Sequence, residues 1–567
     1  MANNYVNQIE FQDEHGAAQS LHDIKDINDK HYGLMNVIKI TDPTTTMGDV
    51  QTMLNEVNTN GDHVLFDVSA LGAGMYLCTM YLGTGYFRIN DLVTGHLATG
   101  FWTSSELLKD KIEGGASQSR HYTVQWDKTN AQMTRLNDAA SITTNVTNFK
   151  HNGSVNPNYD NPFDSIYPWS ERKLCNIDID LYRSLAEGAD IKDCVVAWDG
   201  DADFSYDHQY GVWVYTPSFY GRCFEIGNYR YFDVTDEEIA DNIYYPAQIT
   251  GRYLGTDVTL TIDGTSKHCL LPTLGQPLAN VSVANQHTYA KNYGGSVVDI
   301  YNLDASTLLY LVEFANWNIQ NTLGSGVSSL YQQSLHLSAD VTNSNTVQIA
   351  ANANIIVGAT IDIGTSDGGF DIARTWVEAV NGTTVTLHDA VTATTAHIVT
   401  VHGLINLADE GVGSMSGYIG TNGKSNAYYR GESLFANRWQ YILGAYRQTG
   451  TGEIWVSKKG ESDNYDALNV NDHIDTGLAL TETSGYVQTF GIADGLSAAP
   501  FCTAIGGNST NPVGDYCYVP ALTTGNTILL FGGYSNSGPY AGFCGYWNAA
   551  SSISGWNYCS RPRLLNP

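Results

Sequence analysis

The sequence is poor in charged side chains, and most of the charges it has are acidic. Asp, Glu, Lys and Arg together make up 15% of the 567 residues, below the level of roughly a quarter that is usual in soluble proteins. With 28 basic against 58 acidic residues the formal net charge is −30, and no run of Lys or Arg interrupts that excess. Because such a chain repels a phosphate backbone, the composition argues against a nucleic-acid partner.

Long apolar runs are also missing. No stretch of the sequence approaches the roughly 20 apolar residues that are needed to cross a bilayer. The first residues do not combine a basic stretch with an apolar core, as an export signal would. We therefore expect neither membrane insertion nor Sec-dependent export by signals in this sequence.

Cysteine is sparse. The nine cysteines are an odd number, and no Cys-x-x-Cys pair occurs. That pattern lacks the spacing of a zinc site or a dithiol redox site. We predict that most of these residues are buried thiols.

Glycine and tyrosine are abundant by contrast, with 56 and 36 residues. With so few charges, much of the surface must consist of neutral polar and aromatic groups, which is typical of adhesive β-rich proteins. The length corresponds to about three or four domains. We predict a mainly β fold with short helices.

The N-terminal part divides into two segments. Residues 1–40 are too short and too polar to bury a core, and we interpret them as an anchoring segment that orders against a neighbouring protein. Residues 41–114 alternate as strands after an amphipathic helix predicted over 47–57 and end in a short polar helix or linker, which predicts a small α+β attachment module.

The remainder predicts one domain split by an insertion. Residues 115–337 and 405–567 share a Trp-, Tyr- and Gly-rich texture, whereas residues 338–404 consist of alternating runs. Two of these runs flank Asn381-Gly382, the strongest short hairpin signal. We therefore predict a small inserted β-barrel or sandwich over 338–404.

Several ordered segments of the split domain resemble phage tail proteins with a C-type-lectin-like domain of the formylglycine-generating-enzyme type. The segments are VQWDK (124–128), MTRL (133–136), PFDSIYPW (162–169), GDADF (200–204), LVEF (311–314), YRGE (429–432) and residues 532–563. Each segment is weak alone, and the resemblance rests on their order over about two thirds of the chain. It implies a C-type-lectin-like fold in a tail-tip or tail-fibre adhesin.

The terminal block is also similar to the variable region of diversity-generating retroelement targets such as the major tropism determinant. The frame that this resemblance implies is Gly532, Gly533, Gly538, Ala541, Gly542, Phe543, Trp556 and Arg561. Cys544 and Cys559 depart from that frame, so diversification of this copy stays an open alternative. Gly542 and Trp556 are expected to pack rather than to contact a receptor.

Aromatic residues interleaved with Ser, Asn and Gly predict a receptor-binding surface within the same block. Such a mixture combines rigid amphipathic contact area with adaptable hydrogen bonds, as in antibody paratopes. We expect the exposed members to dominate binding, although alternation alone does not separate them from core residues. The candidates are Tyr516, Tyr518, Tyr534, Ser535, Asn536, Ser537, Tyr540, Tyr546, Asn548 and Tyr558.

The resemblance further implies a setting for the protein. A tail adhesin is made in the cytoplasm of the bacterial host and is released with the virion, where its N-terminus joins other tail proteins. The receptor would be a glycan or a protein of the bacterial surface. A homotrimer is expected by analogy with fibres, although no heptad repeat indicates it.

One metal site was considered. Asp199, Asp201 and Asp203 alternate in the sequence and could supply oxygen ligands to Ca²⁺, but Phe204 stands where an EF-hand has its glycine. A solvated acidic turn is the competing interpretation. No other cofactor is expected.

No catalytic residues are predicted, and several alternatives to an adhesin remain. Gly364-Thr365-Ser366-Asp367-Gly368 matches a nucleophile elbow only formally, because strand sequence follows it. A tail glycan depolymerase would need two carboxylates in one cleft, and Glu313, Glu432 and Asp515 are candidates without a pairing pattern. The resemblance to formylglycine-generating enzymes also implies an oxidase as an alternative, with an active-site cysteine pair drawn from Cys517, Cys544 and Cys559. A structural protein that only decorates the virion is a further alternative, and it would need neither a catalytic nor a receptor-binding site.

Overall fold

The computed structural model describes most of the chain after residue 119. It covers residues 120–144, 160–236, 238, 242–350, 354–408, 426–435, 437–458, 472–480, 482–519, 521, 526–543, 545–549 and 552–567, with short strands elsewhere described by backbone alone. The predicted helix over 47–57 and the predicted linker over 105–114 lie outside the described residues.

The backbone strands before residue 120 form two small antiparallel sheets. One pairs Glu10–Gln12 with Ala18–Ser20. The other has the order Asp62–Gly72, Met75–Thr84, Leu34–Ile40, Leu97–Gly100. A further pair joins Lys150–His151 to Ser154–Val155.

The chain divides into two compact units. The first comprises Met1–Gln125, Thr134–Ser141 and Phe224–Asn242, and the second comprises Trp126–Met133, Ile142–Cys223 and Ile243–Pro567. Three described strands, Tyr122–Asp127, Met133–Asn137 and Phe219–Ile226, cross a boundary between these segments. The candidate site described below lies in the second unit.

A buried polar ladder organises the described part of the first unit. Strands Tyr229–Thr235, Tyr122–Asp127 and Met133–Asn137 are neighbours in one sheet. The Asp233 carboxylate lies 2.7 Å from His121 Nδ1 and accepts a 2.7 Å hydrogen bond from the Thr123 hydroxyl. Because these groups are almost fully buried, the mutual bonds offset the cost of removing them from water.

Two six-stranded sheets supply the main core of the second unit. The first sheet has the order Val195–Trp198, Lys173–Ile177, Trp213–Thr216, Gln248–Gly251, Pro562–Arg563, Ser296–Val297. The second has the order His473–Ala479, Glu453–Ser457, Trp439–Arg447, Thr527–Phe531, Tyr546–Ala549, and Tyr558–Cys559 runs parallel to Trp439–Arg447. Side chains of both sheets, including Trp213, Ile249, Tyr441 and Leu530, share one apolar cluster.

In the described part of the chain the helices are few and short, with one exception. Helix α1 is Ile179–Ser184, α2 is Val283–Lys291, α3 is Ile300–Phe314 and α4 is Ile319–Leu323. Helix α3 begins at a capping box formed by Asp299 and Asn302, and it ends at Ala315 in the left-handed region. Nearly every residue of α3 is buried, so it is a core helix. Single 3₁₀ turns are Pro162–Ser165, Trp169–Glu171, Ile191–Cys194 and Gly538–Tyr540.

A third six-stranded sheet occupies the region of the predicted insertion. Its order is Gln332–His336, Ile398–Leu404, Ala359–Gly364, Ala373–Asn381, Thr384–Ala393, Val341–Gln348. Its apolar cluster is built from residues between Val327 and Leu404, so it begins before the predicted boundary at 338. The hairpin predicted at Asn381-Gly382 is present, but the turn is shifted by one residue, because Asn381 pairs with Thr384 and Gly382 takes a φ of 62°.

Smaller antiparallel pairs complete the second unit. They join residues 219–221 to Ile243–Tyr245, Thr256–Ile262 to Thr265–Leu271, and Ala427–Tyr429 to Glu432–Phe435, while Phe501–Ile505 and Tyr516–Cys517 lie on either side of Gly485–Gly491. The prediction of a mainly β fold with short helices is confirmed. The lectin-like arrangement and the domain boundaries stay predictions. No helix among the described residues is long and apolar enough to cross a membrane.

Most cysteines in the described part of the chain are buried thiols. Cys175, Cys194, Cys269, Cys502, Cys517 and Cys559 are buried, and Cys223 is half-buried. Burial raises the pKa of the Cys559 thiol to about 12, and the nearby Arg438 opposes the rise. For these residues the prediction of buried thiols is confirmed.

Candidate functional site

Four half-buried tyrosines form a contiguous group, here called the tyrosine cluster: Tyr486, Tyr516, Tyr518 and Tyr540. The ring centroid of Tyr516 lies 4.6 Å from that of Tyr540, 4.7 Å from that of Tyr518 and 5.3 Å from that of Tyr486. Tyr540 also lies 5.8 Å from Tyr486 and 6.2 Å from Tyr518. Three of the four were predicted as receptor-binding residues, and the structure brings them together.

The alternation of a β-strand explains why two of these rings share one face. Cys517 is buried, so its neighbours Tyr516 and Tyr518 both lie on the opposite, more open side. The backbone of Tyr518 is held by bonds to Gly545 and Trp547. Tyr486 joins the cluster because it is the antiparallel partner of Tyr516. Cross-strand aromatic pairs of this kind stabilise the sheet as well as shaping its surface.

A tight turn presents the fourth ring. Tyr540 ends the 3₁₀ turn Gly538–Tyr540, and the side chain of Gln320 fixes that turn by donating to the carbonyls of Gly538 and Ala541 at 3.0 and 2.7 Å. The Ser537 hydroxyl accepts a 2.9 Å bond from the backbone N–H of Tyr534. The turn is therefore preorganised before any ligand binds.

The hydroxyls of Tyr518 and Tyr486 are neutral at physiological pH. Burial raises the pKa of Tyr518 to about 12, and the neighbouring tyrosines raise it further. The pKa of Tyr486 is also raised, first by burial and then by Tyr540 and Tyr516. A neutral phenol both donates and accepts a hydrogen bond, so the cluster offers polar contacts at the rim of an apolar surface.

Further aromatic rings continue the surface away from the cluster. Trp439 lies 6.2 Å from both Tyr518 and Tyr534, and Tyr534 lies 5.5 Å from Trp556. Trp556 in turn stacks on Tyr331 at 5.0 Å with an interplanar angle of 12°. Trp439 is buried, whereas Tyr534, Trp556 and Tyr331 are half-buried. The four rings therefore form a band that is partly core and partly surface.

The remaining predicted receptor-binding residues are placed differently. Asn536 is exposed, but Ser535 and Ser537 are buried, which corrects the expectation that they are exposed contact residues. Ser537 turns inward because its hydroxyl satisfies a backbone N–H within the turn. Tyr558 is half-buried and packs 5.8 Å from Tyr441 against the main core. The side chains of Tyr546 and Asn548 lie outside the described residues.

The backbone packs tightly around the turn at Gly533 and Gly542. Both glycines belong to the frame that the resemblance to retroelement targets implies. A Cβ atom at Gly542 would lie 2.3 Å from the carboxylate of Asp515, and one at Gly533 would lie 2.8 Å from Ala541. Asp515 is buried and accepts a hydrogen bond of 2.5 Å from the backbone N–H of Phe543. Close approach of backbone and carboxylate therefore requires glycine at 542.

A buried ion pair joins three of the segments that carry the resemblance. The Arg430 guanidinium donates two 2.8 Å bonds to the Glu313 carboxylate, a 3.0 Å bond to Asp164 and a 3.1 Å bond to the carbonyl of Trp169. Glu313 and Arg430 are almost fully buried. Burial raises the pKa of Glu313 and Arg430 opposes that rise. Segments 162–169, 311–314 and 429–432 are thus tied to one another.

A second buried carboxylate extends this arrangement to the terminal block. Glu432 lies 2.5 Å from Arg172 and 2.8 Å from Arg561, and it accepts bonds from Ser306 and Thr250. Burial opposes ionisation of Glu432, but the two guanidinium groups outweigh it and lower the pKa to about 2. The carboxylate therefore stays charged inside the protein.

Acid should destabilise the protein through Glu432. Its pKa is lowered on folding from 4.5 to about 2, so its contribution is present above pH 4.5 and is lost as the pH falls toward 2. Between pH 6 and pH 3 the native protein should lose about 2 kcal/mol of unfolding free energy that Glu432→Gln does not lose. Urea unfolding at the two pH values measures the difference.

The exposed Glu187 supplies the control for this experiment. Glu187→Gln should keep the acid response of the native protein, because its carboxylate lies at the surface. Glu432→Gln should also be less stable at pH 7, since it leaves two buried guanidinium groups without their partner. Identical acid responses of Glu432→Gln and the native protein would contradict the role assigned to this carboxylate.

The carboxylates considered for glycan hydrolysis are used in these contacts. Glu313 and Glu432 are buried in ion pairs, and Asp515 is buried against the backbone of Phe543. Each is at most 1% exposed. None of the three lies in an open cleft as the proposed chemistry would require.

The calcium hypothesis gains no geometric support. Asp201 accepts a 2.8 Å bond from the backbone N–H of Trp198 and closes a turn. In the described residues, which include Asp199 and Asp203, no group of three or more His, Cys, Asp or Glu side chains is placed to hold a metal ion. The acidic turn that was the competing interpretation fits this geometry.

Comparison with known proteins provides no relative from which a function could be transferred. No protein-family model matches the chain. A search of curated proteins also finds no match.

Proposed function

We propose that this protein is a bacteriophage tail adhesin that binds a bacterial surface receptor through the tyrosine cluster. One observation supports the proposal: four half-buried tyrosines from three separate segments lie together. The ring centroids of neighbouring members are 4.6 to 6.2 Å apart. A group held in this way presents a broad apolar area with hydroxyls at its edge. Asn536, exposed at the turn beside it, adds an amide.

The physical basis of such a surface is low entropic cost. A tyrosine has two side-chain torsions, and packing against other rings already restricts them in the free protein, so little freedom is lost on binding. Aromatic side chains of this kind supply most of the energy in many interfaces. Both a glycan and a protein of the cell surface present the mixed apolar and polar groups that tyrosines bind.

The remaining assignments form part of the same proposal. Residues 1–40 and 41–114 would attach the protein to other tail proteins in the virion, and residues 115–337 with 405–567 would form the lectin-like domain. Residues 338–404 would be an inserted β module, and the assembly would be a homotrimer. The joining of segments 162–169, 311–314 and 429–432 through Arg430 supports treating the distant parts as one domain.

Replacing Tyr516 and Tyr540 together with alanine should weaken binding to cells at least about thirtyfold. The two rings are in direct contact, and truncating paired aromatic anchors costs about 2 kcal/mol or more. The measurement is binding of fluorescently labelled full-length protein to a panel of intact Gram-positive and Gram-negative bacteria, quantified on the strains that the native protein binds.

Tyr289→Ala is the matched control, because Tyr289 is also half-buried but lies on helix α2 and stacks on His268. It should bind cells as the native protein does, and thermal unfolding should show that both variants are folded. Absence of binding to every strain, or native binding by a folded Tyr516→Ala/Tyr540→Ala protein, would overturn the proposal.

A further inference from the structure

A cleft of about 630 Å³ opens in the second unit, lined by residues other than those of the tyrosine cluster. Its walls include Tyr167, Tyr244, Tyr215, Glu171 and Lys192. The volume lies within the range of ~300–1,000 Å³ that is typical of small-molecule sites. None of these residues takes part in the surface proposed above.

Two of the tyrosines that line this cleft are exposed. Tyr244 is 47% exposed and Tyr167 is 37% exposed, and both belong to the few large apolar side chains at the surface. The Tyr167 hydroxyl donates to the carbonyl of Ser218, and the Tyr244 ring lies 5.1 Å from that of Tyr220. These contacts position the two rings, and part of each residue stays exposed.

Charged groups of both signs share the cleft. Lys192 lies 3.2 Å from Asp190 and 5.9 Å from the centre of the Tyr215 ring. Burial raises the pKa of Tyr215, and Asp190, Tyr167 and Glu171, which line the same cleft, raise it further. The cleft therefore offers hydrogen-bond donors and acceptors next to aromatic faces.

This combination discriminates among classes of ligand. A cationic ligand would have to compete with the Lys192 ammonium, which already pairs with Asp190 and lies over the Tyr215 ring. An anion would meet Glu171 and Asp190, and a purely apolar ligand would cost these carboxylates their hydration. A neutral polyhydroxy ligand avoids all three penalties, because its hydroxyls both donate and accept. Its C–H groups would pack on the electron-rich ring faces.

We propose that the cleft lined by Tyr167, Tyr244 and Lys192 binds a neutral saccharide, as a second site separate from the tyrosine cluster. The ring of Tyr244 or Tyr167 carries the sugar face, while Glu171, Asp190 and Lys192 bind its hydroxyls. This assignment does not depend on the proposed adhesin function. A protein of any setting could hold a saccharide in this cleft.

The test is an array of immobilised bacterial and plant glycans, probed with the full-length protein. The native protein should bind a set of neutral glycans, and Tyr244→Ala should weaken that binding at least about tenfold. The free saccharide that binds best on the array is then used in isothermal titration calorimetry. This gives its dissociation constants from the native protein and from Tyr244→Ala. Phe370→Ala is the matched control, because Phe370 is also 47% exposed and lies outside the cleft.

The outcomes separate the two sites. Tyr516→Ala/Tyr540→Ala should keep binding the neutral glycans on the array, even if it loses binding to cells. The saccharide site is overturned if no glycan binds in a manner that depends on Tyr244, or if only peptides, charged ligands or apolar ligands do so in the same format. Tyr167→Ala provides a second variant should Tyr244→Ala fail to fold.

Discussion

Replacing Arg430 with methionine is expected to destabilise the second unit by about 3–5 kcal/mol. The substitution would leave the Glu313 carboxylate buried without the two 2.8 Å bonds that it accepts from the guanidinium. Removing one partner of a buried ion pair typically costs this much, because the remaining charge is neither hydrated nor neutralised. Urea unfolding followed by tryptophan fluorescence measures the loss.

Two further variants separate burial from charge. Arg183→Met removes a guanidinium that also pairs with a carboxylate, Asp263, but the two side chains are 29% and 67% exposed. Its cost should stay below about 1 kcal/mol. Adding Glu313→Leu to Arg430→Met should restore part of the stability, since it removes the unpaired charge. Equal losses from Arg183→Met and Arg430→Met would show that the buried pair has no special role.

Gly542→Ala should cost about 3 kcal/mol or more. The new Cβ would lie 2.3 Å from the Asp515 carboxylate, which would have to move away from the N–H of Phe543. The cost combines overpacking of the core with the loss of a charge-assisted hydrogen bond in a buried place. A fall in the thermal unfolding midpoint of purified protein, or failure to obtain folded protein, is the expected observation.

Gly538→Ala provides the comparison within the same turn. A Cβ at Gly538 meets nothing within 4 Å, although the φ of 53° lies in the left-handed region. Alanine should therefore cost only about 1–2 kcal/mol there. If Gly538→Ala is as damaging as Gly542→Ala, backbone conformation rather than close packing explains the requirement for glycine.

The fold class followed from local patterns, but the pairing of strands did not. Alternation and glycine density predicted a β-rich chain, and Asn381-Gly382 correctly predicted a hairpin, offset by one residue. Local patterns report what each segment can form, not its partner. Nothing in the sequence indicates that the sheet near residue 332 begins before the predicted boundary at 338, because the strand Gln332–His336 is a polar edge strand.

The candidate site was predicted by composition and therefore only in part. Tyr516, Tyr518 and Tyr540 were identified because tyrosines are dense near them, whereas Tyr486 was missed. It lies 30 residues upstream and enters the cluster only through its pairing with Tyr516. The alternation of Gly485–Gly491 indicates a strand, but no local pattern names its neighbour. Ser537 was misjudged because a polar side chain that caps a turn resembles an exposed one in sequence.

The buried ion pairs show the same limit for charged residues. Glu313 and Arg430 stand 117 residues apart, and each was noted as part of a separate segment. Buried charges are rare unless paired, but the sequence does not state which acidic residue among 58 is buried. Only the folded chain shows that these two segments together supply a buried ion pair.

One interior strand of the first six-stranded sheet has a consequence for how the chain acquires its structure. Pro562–Arg563 lies between Gln248–Gly251 and Ser296–Val297. Those two strands can pair with it only after roughly 300 further residues have been translated. At the usual elongation rate of about 5–20 residues per second, that delay lasts tens of seconds. Sheets closed by such distant contacts form slowly. During synthesis the edges of these two strands stay unpaired with Pro562–Arg563 and can pair with strands of other chains. Nascent copies on the same messenger RNA are therefore the chains with which such mispairing is expected.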